Sequence, residues 1–284
     1  MSDSLIENYN IKPESINWHI FMNCNLHCKF CFKTFDGFRQ SLPQRGPYNV
    51  QMADAKIILE KLRLAGFKKI TFAGGEPTLH LLLPEIISYA KELGFKVGIV
   101  TNGHFLTDHY LDKIKGNVDY IKISIDSSNE KIQAMMGRGE GDHVQISKEA
   151  GLRVKSFGIP LMLNTVVTSL NYSDNLSDIL NLLKPVRWKV FQALPEKGEN
   201  DKFDWWSTDK QFQQYIERHE NFSPIAESND LMRNSYVIMD PIGRFMQDKT
   251  GKYVYSQSIL SIDVLDALDQ VGWDSDIFLK RGGI

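Results

Sequence analysis

The chain alternates between two patterns of hydrophobic positions over its first 192 residues. One pattern consists of short runs rich in β-branched and aromatic residues, which are typical of β-strands. These runs cover residues 17–22, 69–73, 96–100, 119–125, 160–167 and 186–192.

The other pattern has the three- and four-residue spacing of an amphipathic helix. It is clearest in residues 52–65, where apolar residues form one face and Gly66 follows as an expected C-terminal cap. Asp174 is the expected N-cap of a later helix. The same spacing predicts four further helices, over 81–93, 107–115, 143–156 and 174–183.

Strands that alternate with helices predict parallel βαβ units, because parallel neighbours need a crossover connection. Six such units are too few to close an eight-stranded barrel, so an open or partial (βα)6 barrel is expected. After residue 192 the chain is more polar. The patterns there predict a helix over 207–220, a strand pair over 235–246 with its turn at Pro241–Gly243, and a last helix over 259–270. The predicted fold class is therefore α/β, a partial TIM-type barrel with a C-terminal extension that covers the barrel mouth.

We expect three parts within one globular unit of 284 residues. They are a polar N-terminal arm over 1–16, the partial barrel over 17–192 and the extension over 193–284. No linker rich in Gly, Ser or Pro separates these parts into independent domains.

Composition narrows the class of protein. The chain has 42% hydrophobic residues and a formal net charge of -2, which argues against a general nucleic-acid or membrane-surface binder. The first sixteen residues have no apolar core, and no apolar stretch approaches the ~20 residues of a membrane span. A cytoplasmic protein without nucleic-acid or membrane partners is expected.

All three cysteines, Cys24, Cys28 and Cys31, lie in the stretch CNLHCKFCF after the first predicted strand. An odd number of adjacent cysteines excludes a disulfide framework. A zinc site would need His27, directly beside Cys28, as its fourth ligand. A thioredoxin-like C-x2-C would leave Cys24 unexplained. An iron–sulfur cluster held by only three thiolates would leave one iron open to another ligand.

Other polar and glycine residues follow the predicted strands. In FAGGEP, Gly74 and Gly75 let the backbone approach a ligand closely, and Glu76 can accept a hydrogen bond from an ammonium group. Four more polar residues lie at or beyond the carboxyl ends of strands, where a parallel barrel places its ligand contacts. They are Thr101, Ser124, Arg138 and Asn164.

Together these motifs resemble the signature of the radical S-adenosylmethionine (SAM) superfamily. The resemblance implies that Cys24, Cys28 and Cys31 hold a [4Fe–4S] cluster and that the amino and carboxylate groups of SAM chelate the open iron. It also implies that the GGE motif binds the SAM amino group, while serine, arginine and asparagine contact its ribose and carboxylate. The implied cofactor contacts are Phe30, Gly74, Gly75, Glu76, Thr101, Ser124, Arg138 and Asn164.

Further stretches are similar to viperin and its prokaryotic homologues, from about residue 16 to residue 283. They include NWHIF, KKITFAGGEP, MMGRGEG, PVRWKVFQALPEKGEN, NSYVIMD and FLKRGG. This resemblance implies an antiviral lyase that converts a nucleoside triphosphate into its 3′-deoxy-3′,4′-didehydro form, which acts as a chain terminator. CTP is the favoured substrate, and UTP and GTP are the alternatives. A 5′-deoxyadenosyl radical would remove the hydrogen from C4′, and the 3′-hydroxyl would leave as water.

A triphosphate needs basic side chains. Arg187 and Lys189 point to the same side of their predicted strand, either into the barrel or to solvent. Tyr236 is expected to pass the closing proton and electron, with a reducing partner such as flavodoxin or ferredoxin. By resemblance, the nucleotide contacts are Asn17, His19, Lys69, Arg187, Lys189, Lys280, Arg281 and Gly282.

Two positions depart from the viperin pattern. The family carries a lysine two residues before Asn164, where this chain has Met162, and a basic residue where this chain has Gln257. Both changes remove positive charge from the expected phosphate region.

Two other functions compete with this hypothesis. A glycyl-radical-enzyme activase also needs a single cluster, but it acts on a protein and needs no set of inward cations. A zinc-binding structural or interaction module is the alternative from a different class of protein.

Overall fold

One ten-stranded sheet organises the residues that the computed structural model describes, which are 13–32, 50–248 and 251–282. Most of the arm predicted over 1–16, and Gly283 of the KRGG stretch, lie outside these residues. The strands are β1 (Ser15–Phe21), β2 (Lys69–Gly74), β3 (Lys96–Thr101), β4 (Tyr120–Ser124), β5 (Leu161–Val167), β6 (Arg187–Gln192), β7 (Ile225–Glu227), β8 (Ile238–Met239), β9 (Arg244–Asp248) and β10 (Tyr253–Ser258).

Strands β1 to β6 are parallel and lie side by side in chain order, as the six predicted βα units require. The C-terminal extension adds β7 beside β6 and β8 beside β1, both in the parallel direction. Strands β9 and β10 follow β8 in antiparallel pairing, and β8–β9 is the predicted strand pair. The predicted α/β partial barrel is therefore confirmed, and the extension widens its sheet at both edges.

Helices pack on the outer face of the sheet and share its hydrophobic core. No helix among the described residues is long and apolar enough to cross a membrane. The helices are α1 (Met52–Leu64), α2 (Leu83–Glu92), α3 (Asp108–Ile114), α4 (Glu130–Met135), α5 (His143–Ser156), α6 (Ser177–Leu183), α7 (Asp209–Arg218), α8 (Asn229–Met232), α9 (Val264–Val271) and α10 (Ser275–Lys280).

Two helices begin three or more residues after their predicted starts. The prediction of Asp174 as an N-cap is wrong, because α6 begins at Ser177 and the Asp174 carboxylate instead accepts hydrogen bonds from Ser128 at 2.7 Å. Helix α9 begins at Val264 instead of residue 259, because the preceding residues form a turn on Ser258. The periodicity does not predict α4, α8 and α10, which are only four to six residues long.

Alternation along the strands separates an apolar outer face from a polar interior. In β2, Ile70 and Phe72 are fully buried in the core under the helices. Lys69, Thr71 and Ala73 lie at the intervening positions and face the interior of the partial barrel. The interior is therefore the part of the molecule where polar side chains meet.

Tyr120 fills part of this interior and links three strands. Its ring lies so close to Gly98 of β3 that a Cβ atom there would come within 2.1 Å of it. Its hydroxyl forms a hydrogen bond of 2.7 Å with Thr71 of β2. Burial raises the pKa of Tyr120 to about 12, so the hydroxyl stays protonated.

We expect Gly98→Ala to lower the free energy of unfolding by ~1–3 kcal/mol, because the added methyl group must displace the Tyr120 ring. Urea denaturation monitored by circular dichroism measures this loss. In a Tyr120→Ala background the same substitution should cost far less, because the ring is absent. An equal cost in both backgrounds would show that the Gly98–Tyr120 contact is unimportant.

Candidate active site

The three cysteines lie in the loop that follows β1. All three line a cavity of about 730 Å³ in the interior of the partial barrel, and no disulfide joins them. The backbone N–H of Leu26 donates a hydrogen bond to Sγ of Cys24 at 3.4 Å. Burial raises the pKa of Cys24 to about 11 and also raises that of Cys28.

The turn after α4 holds the cysteine loop in place. The backbone N–H groups of His27 and Lys29 donate to the carbonyls of Gly137 and Met136, at 3.2 and 2.9 Å. Gly137 has a φ of +83°, and a Cβ atom there would lie 2.1 Å from the His27 carbonyl oxygen. This position therefore requires glycine. The MMGRGEG stretch serves as the support of the cysteine loop.

The same turn brings Arg138 beside the cysteines. Its guanidinium forms a buried ion pair with Asp126 and lies 5.3 Å from the ring centroid of Phe30. Asp126 is held in turn by the backbone N–H of Val166, at 2.8 Å. The guanidinium charge lowers the pKa of Cys28 against the larger effect of burial. Arg138 is thus a fixed positive charge that favours thiolate formation.

The two glycines of FAGGEP allow two loops to touch. A Cβ atom on Gly74 would come within 2.3 Å of the carbonyl oxygen of Phe21, and one on Gly75 within 2.3 Å of that of Asn23. The N–H of Gly75 donates to the Phe21 carbonyl at 2.7 Å. The sequence predicts close approach to a ligand here, whereas the structure shows that both glycines are needed for close contact with the end of β1 and the start of the cysteine loop. Both glycines also line the cavity.

Glu76 is a buried carboxylate that only neutral groups contact. It is 1% exposed and accepts hydrogen bonds from the Oγ of Thr101 at 2.6 Å, the N–H of Asn102 at 2.8 Å and both donors of Thr78. Burial raises its pKa in spite of these bonds. Among the described residues no basic side chain forms an ion pair with it. A buried carboxylate in such surroundings is well suited to bind a cation.

Ser124 and Asn164 lie side by side on β4 and β5, as Cα partners in the parallel register. Both line the cavity. The side-chain oxygen of Asn164 is buried, and no described residue donates a hydrogen bond to it. A buried acceptor of this kind indicates a ligand with a donor group.

Basic side chains occupy the other part of the interior. Lys122 and Lys189 line the cavity, whereas Lys69 and Arg187 begin their strands. The ammonium groups of Lys69 and Lys122 lie 5.5 and 5.3 Å from the ring centroid of Tyr120. Burial, and then repulsion between these cations, lowers the pKa of Lys69 to about 8 and that of Lys122 to about 7.

The extension contributes Glu227, Tyr236 and Arg281 to the same cluster. Glu227 is 1% exposed and pairs with Lys189 at 2.5 Å and with Arg281 at 3.5 Å. It also accepts the hydrogen bond of the Tyr236 hydroxyl, and the Arg281 guanidinium lies 3.6 Å from the centroid of the Tyr236 ring. Burial raises the pKa of Tyr236 well above its ordinary value. One carboxylate thus stabilises several basic groups.

The predicted nucleotide residues fall into three sets. The first set lines the cavity, as Tyr236 does, and consists of Asn17, His19 and Lys189. The second set lies near the wall and interacts electrostatically with the cavity lysines: Lys69, Arg187 and Arg281. The third set, Lys280 and Gly282, is exposed and lies away from the cavity wall.

Lys189 is 6% exposed, so the alternative that it points to solvent is wrong.

The two departures from the viperin pattern lie in different places. Met162 of β5 pairs in register with Lys122 of β4 and Arg187 of β6, in the barrel interior. Gln257 is exposed on β10, the outermost strand, where it hydrogen-bonds to Gln270. Only Met162 therefore affects the charge of the interior.

The predicted site omits several residues of the interior, among them Lys122, Asp126 and Glu227. A signal for the first two is present in YIKISID, because positions 120, 122, 124 and 126 alternate with the apolar ones. Nothing in the sequence marks Glu227, since β7 has only three residues and its direction depends on pairing with β6.

Comparisons with known proteins agree with this geometry. The model of the radical SAM superfamily matches residues 18–184. An S-adenosylmethionine-dependent nucleotide dehydratase of Flammeovirga pacifica is 38% identical over 99% of this chain and 98% of its own length. One of Danio rerio, with RSAD2 in its name, is 34% identical over 95% of this chain and 77% of its own. The chain belongs to the viperin family of radical SAM proteins.

The lengths of viperin-family relatives differ. A relative from Lacinutrix mariniflava, also named a nucleotide dehydratase, is 40% identical over 100% of this chain. The chain spans 62% of that protein's length.

Solved structures show the same fold. SuiB of Streptococcus suis, bound to S-adenosylmethionine, has a TM-score of 0.70 at 17% identity and covers 98% of this viperin-family chain and 70% of its own. The protein anSMEcpe with bound AdoMet has a TM-score of 0.68 at 14% identity and covers 95% of this chain and 82% of its own. The partial barrel is therefore the radical SAM fold.

Radical SAM proteins bind a [4Fe–4S] cluster and SAM, and the viperin-family cavity fits both. Three thiols line its wall beside the Arg138 charge, Glu76 lacks a cationic partner among the described residues, and the Asn164 oxygen lacks a donor. No three Cys, His, Asp or Glu side chains in residues 13–32, 50–248 and 251–282 converge as ligands of one metal ion do. A cubane [4Fe–4S] cluster does not require the side chains to converge on one point, because each thiolate bonds a different iron atom.

We expect Cys28→Ser to reduce the iron and sulfide content strongly after anaerobic reconstitution, together with the absorbance at about 400 nm that is typical of such clusters. His27→Ala is the matched control, because His27 is exposed and adjacent in sequence. It should keep the iron content of the unmodified protein. An equal loss of metal in both variants would favour the zinc site with His27 as a ligand.

Proposed function

We propose that this chain is a SAM-dependent nucleotide dehydratase that converts a nucleoside triphosphate, CTP by preference, into its 3′-deoxy-3′,4′-didehydro form. The observation that carries this proposal is a single cavity with two unlike parts. The three thiols and Glu76 line one part, and Lys122, Lys189 and Tyr236 line the other. Relatives at 38% and 40% identity are named S-adenosylmethionine-dependent nucleotide dehydratases, which supports dehydration of a nucleotide.

We assign Cys24, Cys28 and Cys31 to the cluster and Glu76 to the amino group of SAM. When bound, the reduced cluster and SAM would supply a carbon radical able to take the hydrogen atom from C4′ and become 5′-deoxyadenosine. Loss of the 3′-hydroxyl as water would then need one further electron and one proton. Thr101 acts through Glu76, since its hydroxyl already donates to that carboxylate. The other proposed SAM contacts are Phe30, Gly74, Gly75, Ser124, Arg138 and Asn164.

The polar neighbours of this site keep its charges fixed. Asp126 holds Arg138 in a buried ion pair, so the guanidinium is available to a carboxylate or to the thiolates without moving. Neutral donors hold both oxygens of Glu76. Binding of SAM therefore needs little rearrangement of these groups, which favours the geometry of hydrogen transfer.

We assign the triphosphate to the basic part of the cavity. Lys189 lines the wall, and Lys69, Arg187 and Arg281 add positive charge close behind it. Arginine offers a planar fork for phosphate oxygens, whereas lysine acts as a point charge. Asn17 and His19 supply polar groups on the adjoining wall from β1. Lys280 and Gly282, at the end of α10, remain proposed contacts.

Tyr236 is the proposed donor of the closing proton. Its hydroxyl stays protonated because burial raises its pKa, and it is held by Glu227 and by Lys189 at 3.2 Å. We propose that a flavodoxin or ferredoxin supplies the electrons. We also propose that the extension, residues 193–284, closes over the nucleotide, since Glu227, Tyr236 and Arg281 all come from it. A reducing cytoplasm would suit the three thiols.

Incubation of the reconstituted, reduced protein and SAM with CTP, UTP, GTP and ATP separately tests the substrate. We expect CTP to give the largest release of 5′-deoxyadenosine and a nucleotide product that has lost the mass of one water. The same reaction without nucleotide is the control. If no nucleotide raises 5′-deoxyadenosine above that control, the dehydratase proposal fails and a protein substrate, as for an activase, becomes the next candidate.

We expect Tyr236→Phe to lower the rate of dehydration by roughly 10²–10⁴-fold, because the proposed proton donor is lost while the ring remains under Arg281. The dissociation constant for CTP, measured by calorimetry, should change little. Tyr89→Phe is the control, because the Tyr89 hydroxyl donates to Glu60 outside the cavity. Full activity in Tyr236→Phe would show that the proton comes from another group.

A further inference from the structure

Lys122 belongs to a row of side chains that crosses three strands in the interior of the partial barrel. In the parallel register, the Cα partner of Lys122 on β5 is Met162, and that of Met162 on β6 is Arg187. Paired residues of neighbouring parallel strands point to the same face of a sheet, so these three side chains form one row in the interior. Basic residues therefore lie on both sides of Met162 in this row.

The ammonium group of Lys122 has no described anionic partner. Within the described residues it forms no hydrogen bond and no ion pair, and its contact with the Tyr120 ring is 5.3 Å long. Glu227, which attracts it electrostatically, is already paired with Lys189 and Arg281. Lys122 is half-buried, so it is only partly hydrated, and an anionic ligand would supply the partner that the described residues do not.

The position of Lys122 in the cavity favours one kind of ligand. Ser124, two residues further along β4, is proposed to contact SAM, and successive residues on one strand face are ~6.6 Å apart. Lys69 begins β2, and the Tyr120 ring lies near the ammonium groups of both lysines. In the register, Lys122 stands level with Arg187, whereas Lys189 stands level with Ser124 and Asn164. Lys122 therefore lies next to the part of the cavity assigned to SAM and among the other interior cations, which favours an anionic ligand bound beside SAM.

We propose that Lys122 binds the triphosphate in this protein, as a cation that lines the cavity in the row it forms with Met162 and Arg187. This inference rests on the proposed function.

The charge state of Lys122 supplies a second measurable property. Its pKa is lowered to about 7 by burial and by Lys189, Lys69 and Arg187, with Glu227 opposing the shift. A bound polyanion raises the pKa again, so nucleotide binding at pH 8 should take up protons, and affinity should fall as pH rises above 7. Lys69, with a pKa lowered to about 8, contributes to the same uptake. The remaining charged neighbour of the cluster is Arg281.

Calorimetric titration of the cluster-loaded protein with SAM and CTP tests the proposal. We expect Lys122→Met to raise the dissociation constant for CTP by roughly tenfold to a hundredfold. The double variant Lys122→Met with Met162→Lys should recover most of that loss, because it returns the cation to the same row. Lys113→Met, at an exposed position on α3, is the control and should bind CTP as the unmodified protein does. Titrations at pH 8 in two buffers of different ionisation enthalpy should show less proton uptake in Lys122→Met.

The outcomes separate this inference from the proposed function. If the unmodified protein binds CTP and Lys122→Met binds it equally well, the role of Lys122 is disproved while the dehydratase proposal stands. If the unmodified protein binds none of the four nucleotides, the proposed function itself fails. A loss of SAM affinity in Lys122→Met as large as the loss of CTP affinity would show a structural role and also overturn the inference. A larger loss for CTP than for CDP would support contact with the terminal phosphate.

Discussion

The inward face of the parallel strands holds more positive than negative charge, and the structure depends on how that excess is stabilised. Glu227 is the carboxylate at the centre of the cluster, where Lys189, Arg281 and the Tyr236 hydroxyl meet. Because β7 brings Glu227 to the edge of the barrel, and α10 brings Arg281, the extension and the barrel share one electrostatic unit. Removal of one buried partner from such a group leaves the others uncompensated.

The part of the cavity near the cysteines has a different arrangement of charge. Arg138 is held in place by Asp126 and still acts electrostatically on the thiols, whereas Glu76 is surrounded by neutral donors only. A zwitterionic ligand with an amino group and a carboxylate matches this pair of environments. The two parts of one cavity therefore differ in what they lack: a cation beside Glu76 and an anion beside Lys122. Two ligands of different charge can then bind side by side, because each part of the cavity favours only one of them.

Much of the fold and part of the site can be predicted from the sequence, for a physical reason. The βα units of the barrel arise from local periodicity, and the cysteine loop and FAGGEP are contiguous motifs, so both are visible without a structure. The positions of Lys122 and Glu227 depend on strand register and on a three-residue strand, which are set by long-range pairing. The glycines illustrate the same limit of prediction. The sequence indicates that another group approaches the backbone of Gly75 closely, but it does not identify that group as the backbone of Asn23.

Strand register also changes how a lost charge should be interpreted. Along the sequence, methionine at position 162 removes a cation from the expected phosphate region. In the sheet, the same interior row still has basic groups on both sides of Met162, from Lys122 on β4 and Arg187 on β6. Electrostatic attraction varies gradually with distance, so a cation on the adjacent strand preserves much of the interaction with a polyanion. Directional contacts such as hydrogen bonds are not preserved in this way, because their geometry changes with the strand that carries the donor. Such an exchange would therefore preserve attraction for a polyanion more readily than a particular pattern of hydrogen bonds to it.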